Sequence, residues 1–197
     1  ELEKAIDILK NDTRSSALKL VKKYTLRISK HYDEIERLNQ LTRYEKELYS
    51  KIQGYIAGVD EAGRGPLAGP VYAAAVILPP NVVIEGINDS KKISEKKREQ
   101  LYNLIIDKAI SYCIVSISEK EIDTINIRNA VHKAMIEAVL GLNIRPSHVL
   151  IDGEDIKDMP IPHTAIVKGD SSSISIAAAS ILAKVSRDRY IKELDGV

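Results

Sequence analysis

Four acidic residues stand where short apolar segments of the sequence end, and their type and placement indicate a metal site. The acids that follow such segments are Asp60, Glu61, Asp152 and Asp170. In open α/β sheets, ligands collect at the carboxyl ends of the strands, so we expect these side chains at one sheet edge. Because clustered carboxylates repel one another, a cation is needed to neutralise them, and oxygen ligands suit Mg²⁺ or Mn²⁺. A turn cap or a salt bridge remains the alternative for each acid taken singly.

The neighbouring acids Asp60 and Glu61 place a condition on the backbone. Successive residues of a strand point to opposite faces of the sheet. The two carboxylates can therefore share a metal only if the strand ends or bulges there. Gly58 and Gly63 lie on either side of the pair, and we expect them to permit such an interruption.

A glycine-rich segment with one arginine follows these acids directly. Gly63 and Gly65 would let the backbone approach a ligand closely, and Arg64 between them can bind phosphate or ribose oxygens with its forked guanidinium. A simple turn is the alternative reading of this tripeptide. Lysines and arginines of the segment 91–98 add local positive charge that could help to bind a ligand. The alternative is that they form an ordinary solvated face of a helix.

Other kinds of catalytic site find no support in the sequence. The four histidines lack metal-ligand spacing, and a single cysteine, Cys113, cannot build a zinc site. Cys113 lies in an apolar segment and is predicted to be a core thiol. The glycine-rich lysine motif of P-loop ATPases is absent.

Composition indicates a globular protein and leaves its partners open. The chain has 197 residues, of which 44% are hydrophobic and 29% are charged, and this length allows one domain with an addition. The formal net charge is +1, so any polyanionic partner must be bound by local patches. One cysteine excludes a disulfide framework and favours a cytoplasmic location. No apolar run approaches the ~20 residues of a membrane span, so no membrane contact is expected.

The elements that must position the acids fall into two regions. Residues 1–51 have helical spacing of apolar residues and a break near Asn11, and they are predicted to form a helical extension. Residues 52–197 are predicted to form the catalytic domain, with a β-hairpin followed by strands that alternate with helices. The five predicted strands cover about 55–59, 71–78, 112–117, 148–152 and 164–167. Such alternation implies parallel crossovers, and an α/β fold with a mixed five-stranded sheet flanked by helices follows.

The sequence resembles the type 2 ribonuclease H family, bacterial ribonuclease HII, over about residues 54–194. The resemblance begins with Gly58-Val-Asp-Glu-Ala-Gly-Arg-Gly-Pro-Leu-Ala-Gly-Pro70. Further segments follow in the family's order: Asp89-Ser-Lys91, Leu150-Ile-Asp152, Lys168-Gly-Asp170 and Ser175-Ile-Ala-Ala-Ala-Ser-Ile-Leu-Ala-Lys-Val-Ser-Arg-Asp188. The helical N-terminus is similar to extensions of some Gram-positive members. The type 3 relative lacks the Gly-Arg-Gly tripeptide and has a sheet-rich N-terminal domain, so the resemblance favours type 2.

The resemblance implies a ribonuclease H-like fold and a role for each matching residue. Its four catalytic carboxylates match Asp60, Glu61, Asp152 and Asp170, of which the first three match the usual metal ligands. The loop whose backbone reads the 2′-hydroxyl beside the scissile phosphate matches Gly63, Arg64 and Gly65. Further residues of the matching segments are predicted to contact the substrate: Ser90, Lys91 and Lys184.

The activity implied is endonucleolytic hydrolysis of the RNA strand of RNA–DNA hybrids. It extends to incision at ribonucleotides embedded in duplex DNA, a task of DNA replication and repair, by a monomer with two Mg²⁺ or Mn²⁺ ions. The expected products carry 5′-phosphate and 3′-hydroxyl ends. The alternatives are a hybrid-binding module with little turnover, a ribonuclease HIII-like enzyme, or another metal-dependent nuclease or phosphatase on the same fold.

One segment of the family pattern is not matched. The family places a Gly-Tyr-Gly-Thr-like segment after the last helix, and its tyrosine stacks on the sugar at the RNA–DNA junction. The chain ends at Val197 before any such segment, and Tyr190 does not correspond to it. We therefore expect the sequence to lack a C-terminal part of the catalytic domain.

Overall fold

The computed structural model describes residues 2–66 and 68–196 and divides the chain into two units. The first unit is Glu1–Gln40 and the second is Leu41–Val197. The predicted boundary at residue 51 stays a prediction, but the helix over residues 43–49 belongs to the second unit by its packing.

The first unit consists of helix α1, Leu2–Leu9, and most of helix α2, Ser15–Leu41. The predicted break near Asn11 lies between them, where the Asp12 carboxylate accepts a hydrogen bond from the Arg14 backbone at 2.9 Å. A cavity of about 170 Å³ is lined from α1 by Ile6 and from α2 by Ile28. The two helices therefore lie side by side.

The second unit contains one mixed sheet with the strand order β3-β2-β1-β4-β5. The strands are β1 Ile56–Ala62, β2 Val71–Ile77, β3 Ser111–Ile117, β4 His148–Asp152 and β5 His163–Ile166. Strands β1, β2 and β3 pair antiparallel, whereas β4 pairs parallel with both β1 and β5. The predicted hairpin, the parallel crossovers and the α/β fold are confirmed.

Helices flank both faces of this sheet. They are α3 Arg43–Tyr49, α4 Glu95–Lys108, α5 Glu119–Ile125, α6 Ile127–Leu140 and α7 Ile174–Asp195, with short 3₁₀ helices at Ser90–Lys92 and Gly169–Ser171. Helix α6 packs its alanines, including Ala130 and Ala134, against Ala57 and Val59 of β1. Among the described residues, no helix is both long enough and apolar enough to cross a membrane.

Helix α7 lies directly on the opposite face of strand β1. A Cβ atom added to Gly58 would lie 2.2 Å from the backbone carbon of Ser175, so this strand position accepts no side chain. The helix is fully buried here and carries the small residues Ala177, Ala178 and Ala179. Small residues on both partners thus set the close approach of α7 to the sheet.

The expected interruption of β1 at the acid pair is wrong. The strand continues to Ala62, and its antiparallel ladder with β2 stays regular, with Asp60 opposite Ala74 and Glu61 opposite Ala73. The alanines of β2 extend the pairing past the point where the apolar segment of β1 stops. Asp60 and Glu61 therefore point to opposite faces of the sheet.

Because Gly58 has no room for a side chain, we expect Gly58→Ala to destabilise the fold. Overpacking of a tight core costs about 1–3 kcal/mol, which corresponds to a drop of about 2–4 °C in melting temperature per kcal/mol in a chain of this size. Gly65→Ala is the matched control, since a Cβ at Gly65 meets no atom within 4 Å. Thermal unfolding of both variants tests the packing, and an unchanged melting temperature for Gly58→Ala would contradict it.

Candidate active site

The register of β1 and β4 brings two of the predicted acids next to each other. Val59 pairs with Ile151 in the parallel ladder, so Asp60 and Asp152 follow side by side on the same face. Gly58 shares this face with Asp60, and Gly58 contacts α7. The two carboxylates therefore lie on the α7 side of the sheet, where β4 ends.

Asp60 is the most buried of the four acids, with 4% of its surface exposed. Its Oδ1 accepts a hydrogen bond from the Glu61 backbone N–H at 2.7 Å. Burial raises the pKa of Asp60 well above its usual value, and the charges of Glu61 and Asp152 raise it further. Hydrogen bonds from Ser180 and from the Glu61 N–H oppose this rise. The folded chain thus holds Asp60 in an environment that disfavours a bare negative charge.

Glu61 reaches the same edge from the other face of β1. Its alternation with Asp60 places it on the face of Val59, which packs toward α6. Burial raises the pKa of Glu61, as does the charge of Asp152, whereas Arg64 lowers it. The influence of Asp152 on both Asp60 and Glu61 shows that all three carboxylates interact electrostatically.

Asp152 and Asp170 are linked by a turn after β5. The Gly169 N–H donates to Asp152 Oδ1 at 2.6 Å, and the Asp170 N–H lies 3.4 Å from the same oxygen. Burial raises the pKa of Asp170, followed by the charges of Asp89 and Asp152, while Lys91 lowers it. The N-terminus of a nearby helix favours a charged carboxylate and would lower its pKa. For Asp170, burial and the negative neighbours have the larger effect.

The structure brings the four acids to one sheet edge without forming a closed metal cage. Among residues 2–66 and 68–196, no group of three or more histidine, cysteine, aspartate or glutamate side chains is arranged to hold a metal ion. The donor chemistry nevertheless fits a hard divalent cation, because carboxylate oxygens gather here, and burial together with the neighbouring negative charges raises three of their pKa values.

The four acids do not line the cavity beside helix α3. A cavity of about 270 Å³ between α3 and the loop 79–82 is lined by none of the four. Glu61, Asp152 and Asp170 are each partly exposed. An exposed sheet edge suits a polymeric substrate better than a small molecule that must be enclosed.

The two glycines of the predicted recognition loop differ in their surroundings. Gly63 has a φ of +108°, and a Cβ there would lie 2.6 Å from Arg187 Nε and 2.7 Å from the Pro70 oxygen. Arg187 also fixes the loop by donating hydrogen bonds to the carbonyls of Pro70 and Ala68, both at 3.0 Å. Gly63 is thus required by the loop itself, whereas Gly65 borders open space.

The remaining predicted substrate contacts occupy different environments, and their roles stay predictions. Ser90 is 3% exposed, and its hydroxyl lies 3.0 Å from that of Ser180, the residue bonded to Asp60. Lys91 is exposed and acts electrostatically on Asp170. Lys184 forms an ion pair with Asp188 at 2.6 Å.

Sequence reasoning missed two acids beside the site. Asp89 raises the pKa of Asp170, but its lysine-rich surroundings indicated only positive charge. Glu154 follows Asp152 closely and forms ion pairs with Arg64 at 3.3 Å and Arg128 at 2.9 Å. An acid two positions after a strand-end aspartate was a visible signal for Glu154, but its partners are distant in sequence.

Comparison with known families and proteins gives matches over most of the chain. Residues 57–196 match the family model described as Ribonuclease HII, and residues 1–49 match the model of the Ribonuclease HII N-terminal domain. The ribonuclease HII of Acetivibrio thermocellus is 50% identical over 99% of this chain and 77% of its own length. That of Shouchella clausii is 48% identical over 96% of this chain and 73% of its own length.

Solved structures share the fold of the second unit. The ribonuclease H2 of Pyrococcus horikoshii OT3 superposes with a TM-score of 0.65 at 30% identity and covers 72% of this chain and 76% of its own. The RNase HII of Archaeoglobus fulgidus, solved in complex with PCNA, gives a TM-score of 0.60 at 27% identity. The match covers 72% of this chain and 77% of the Archaeoglobus chain. A Bst-RNase HIII in complex with Mn²⁺ gives 0.56 at 17% identity, covering 72% and 54%, and shows the fold alone.

The electrostatics of the acid edge predict how Asp60→Asn changes stability without metal. Because the folded state raises the pKa of Asp60, the folded chain binds the proton more tightly than the unfolded chain, and stability contributed by this group is lost as the pH rises through the folded pKa. Removing the charge should abolish that loss. We expect Asp60→Asn to melt higher than the unmodified chain, by about 2–4 °C for ~1 kcal/mol.

The pH dependence supplies the control for this experiment. Melting curves are recorded in a chelator from about pH 5 to about pH 8, a range that begins above the ordinary pKa of aspartate. The advantage of Asp60→Asn should grow with pH across this range. A difference in melting temperature that stays constant with pH would show that burial and charged neighbours do not destabilise the ionised Asp60. A lower melting temperature of the variant at every pH would show the same.

Proposed function

The chain belongs to the ribonuclease HII family and is a ribonuclease H endonuclease, and we propose that it uses two divalent metal ions to cut RNA both in hybrids and at embedded ribonucleotides. The observation that carries this proposal is the gathering of Asp60, Glu61, Asp152 and Asp170 at one sheet edge, with three of their pKa values raised. Cations bound at this position would relieve the repulsion between the buried carboxylates. The proposed products carry 5′-phosphate and 3′-hydroxyl ends.

Each acid has a proposed place at the metal site. The charges of both Glu61 and Asp152 raise the pKa of Asp60, so Asp60 is the acid that would help to hold both ions. Glu61 from one face and Asp152 from the other would each hold one ion. Asp170 would complete the second site or orient the attacking water. The bound Mg²⁺ or Mn²⁺ pair would activate that water and stabilise the leaving 3′-oxygen.

Selection of RNA is assigned to the backbone of the loop at residues 63–65. The 2′-hydroxyl distinguishes RNA from DNA at a given site, and a backbone without a side chain can approach it closely. Gly65 borders open space, while Arg64 is half exposed and within 3.3 Å of Glu154. We therefore assign the 2′-hydroxyl contact to the loop backbone and the phosphate contact to Arg64.

We expect Asp60→Asn to abolish metal-dependent cleavage while leaving the fold intact. The loss should exceed about a hundredfold, because residues that only support metal ligands already cost 10–100-fold. The assay follows a duplex with a single embedded ribonucleotide, beside an all-DNA duplex that another nuclease on this fold would cut. Asp107→Asn, on an exposed position of α4, is the matched control. Wild-type cleavage by Asp60→Asn would refute the site, and binding without cleavage by the unmodified chain would identify a hybrid-binding module.

For the recognition loop, we expect Gly65→Val to cost most of the cleavage and Arg64→Lys to cost less. A Cβ atom added to Gly65 meets no atom of the described residues within 4 Å, so we expect the added bulk to act mainly on an approaching substrate. Arg64→Lys retains the positive charge and loses only the fork. Both variants should bind all-DNA duplex nearly as the unmodified chain does, because neither removes a positive charge and charge contacts to phosphates set that affinity. Unchanged cleavage by Gly65→Val would contradict readout by the loop backbone.

A further inference from the structure

Glu45 on helix α3 is a buried carboxylate that the proposed chemistry does not use. It is 8% exposed, and its Oε1 accepts hydrogen bonds from Ser173 Oγ at 2.5 Å, Ser175 Oγ at 2.6 Å and Ser175 N at 3.1 Å. Its Oε2 is buried without a hydrogen-bond partner in the part of the chain that the structure describes. Burying a carboxylate is costly unless its partners compensate, so the three donors on one oxygen indicate a specific attachment.

The donors that hold Glu45 belong to the start of helix α7. Ser173 is the N-cap of this helix, and its hydroxyl also accepts from the Ile176 N–H at 3.2 Å. The positive end of a helix dipole favours a carboxylate. Glu45 therefore fixes both the side chain that caps α7 and the backbone of its first turn.

The start of α7 is connected to the acid edge by two further hydrogen bonds. The Ser173 N–H donates to the Gly169 oxygen at 2.7 Å, and the Gly169 N–H donates to Asp152 Oδ1 at 2.6 Å. The turn packs closely against helix α7, because a Cβ added to Gly169 would lie 2.5 Å from Ile176 Cδ1. A continuous path of hydrogen bonds thus runs from Glu45 through Ser173 and Gly169 to Asp152.

We propose that Glu45 is a positioning residue that holds the turn at residues 169–173 and, through it, orients Asp152 and Asp170 for metal binding. Helix α3 packs by its apolar residues as well, since Leu48 lies against Ile56, Leu150 and Ile176. The hydrogen bonds of Glu45 and the apolar packing of helix α3 can therefore be removed independently of each other by substitution. The metal-binding half of this inference rests on the proposed function, whereas the ordering of the turn does not.

The first measurement is amide hydrogen exchange of the full chain without metal. Glu45→Ala should speed exchange at Gly169 and Ser173 by about tenfold or more, as expected for the loss of hydrogen bonds to a charged group. Strand β2 should keep its protection. Leu48→Ala, which loosens the same helix without removing any hydrogen bond of the polar path, is the control and should change exchange at Gly169 and Ser173 much less than Glu45→Ala does. Glu45→Gln keeps the size and one acceptor oxygen, so it should give an intermediate effect and guards against a failure of Glu45→Ala to fold.

The second measurement is calorimetric titration of the same proteins with Mn²⁺. Glu45→Ala should bind Mn²⁺ about tenfold more weakly, at the lower end of the effect of residues that support metal ligands. Leu48→Ala should bind within about twofold of the unmodified chain, the range of an uncoupled distant site.

Equal effects of Glu45→Ala and Leu48→Ala in the two measurements would overturn the positioning role. If the unmodified chain binds no Mn²⁺, the metal site itself fails. The exchange measurement then still decides whether Glu45 orders the turn.

Discussion

The parallel pairing of β1 with β4 is the constraint on which the candidate site depends. It places Asp60 beside Asp152 on one face, and the regular alternation of β1 sends Glu61 to the other face. The carboxylates thus approach from both sides of a single sheet edge. Their repulsion is not relieved within the protein, since burial and neighbouring acids raise the pKa of Asp60 and Glu61. The packing of the sheet must therefore hold together a group of charges that would separate in an unfolded chain.

Helix α7 stabilises this group of charges, because it contacts the acid-bearing end of the sheet at several positions. Its backbone rests on Gly58, Ser180 bonds Asp60, and Arg187 ties down the loop after β1. The first turn of the helix holds the turn that donates to Asp152. Alanines, serines and a glycine are needed at these contacts since larger side chains would separate the helix from the strand. One helix thus supports β1, the recognition loop and the turn before α7.

The sequence predicted the elements that depend on local pattern and missed the features that depend on distant contacts. The alternation of strands and helices, the hairpin and the candidate acids follow from short segments, and the fold is confirmed. The continuation of β1 to Ala62 could not be foreseen, because it depends on pairing with alanines of β2. Glu45 gave no signal at all, since its partner Ser173 is 128 positions away. A charged residue on a helix of mixed composition is expected to face solvent, and only the fold shows that it does not.

The net charge of the chain says little about the charge distribution around the candidate site. A net charge of +1 gives no general attraction for nucleic acid, and the acid edge by itself repels phosphates. Arg64, Lys91 and Arg128 lie around this edge, where they pair with Glu154 or act on Asp170. Bound cations would neutralise the acids and leave these basic groups to face a phosphate backbone. If the proposed cations bind, substrate binding and metal binding should therefore be coupled, because the cations would reduce the negative charge of the surface that the proposed nucleic-acid substrate approaches.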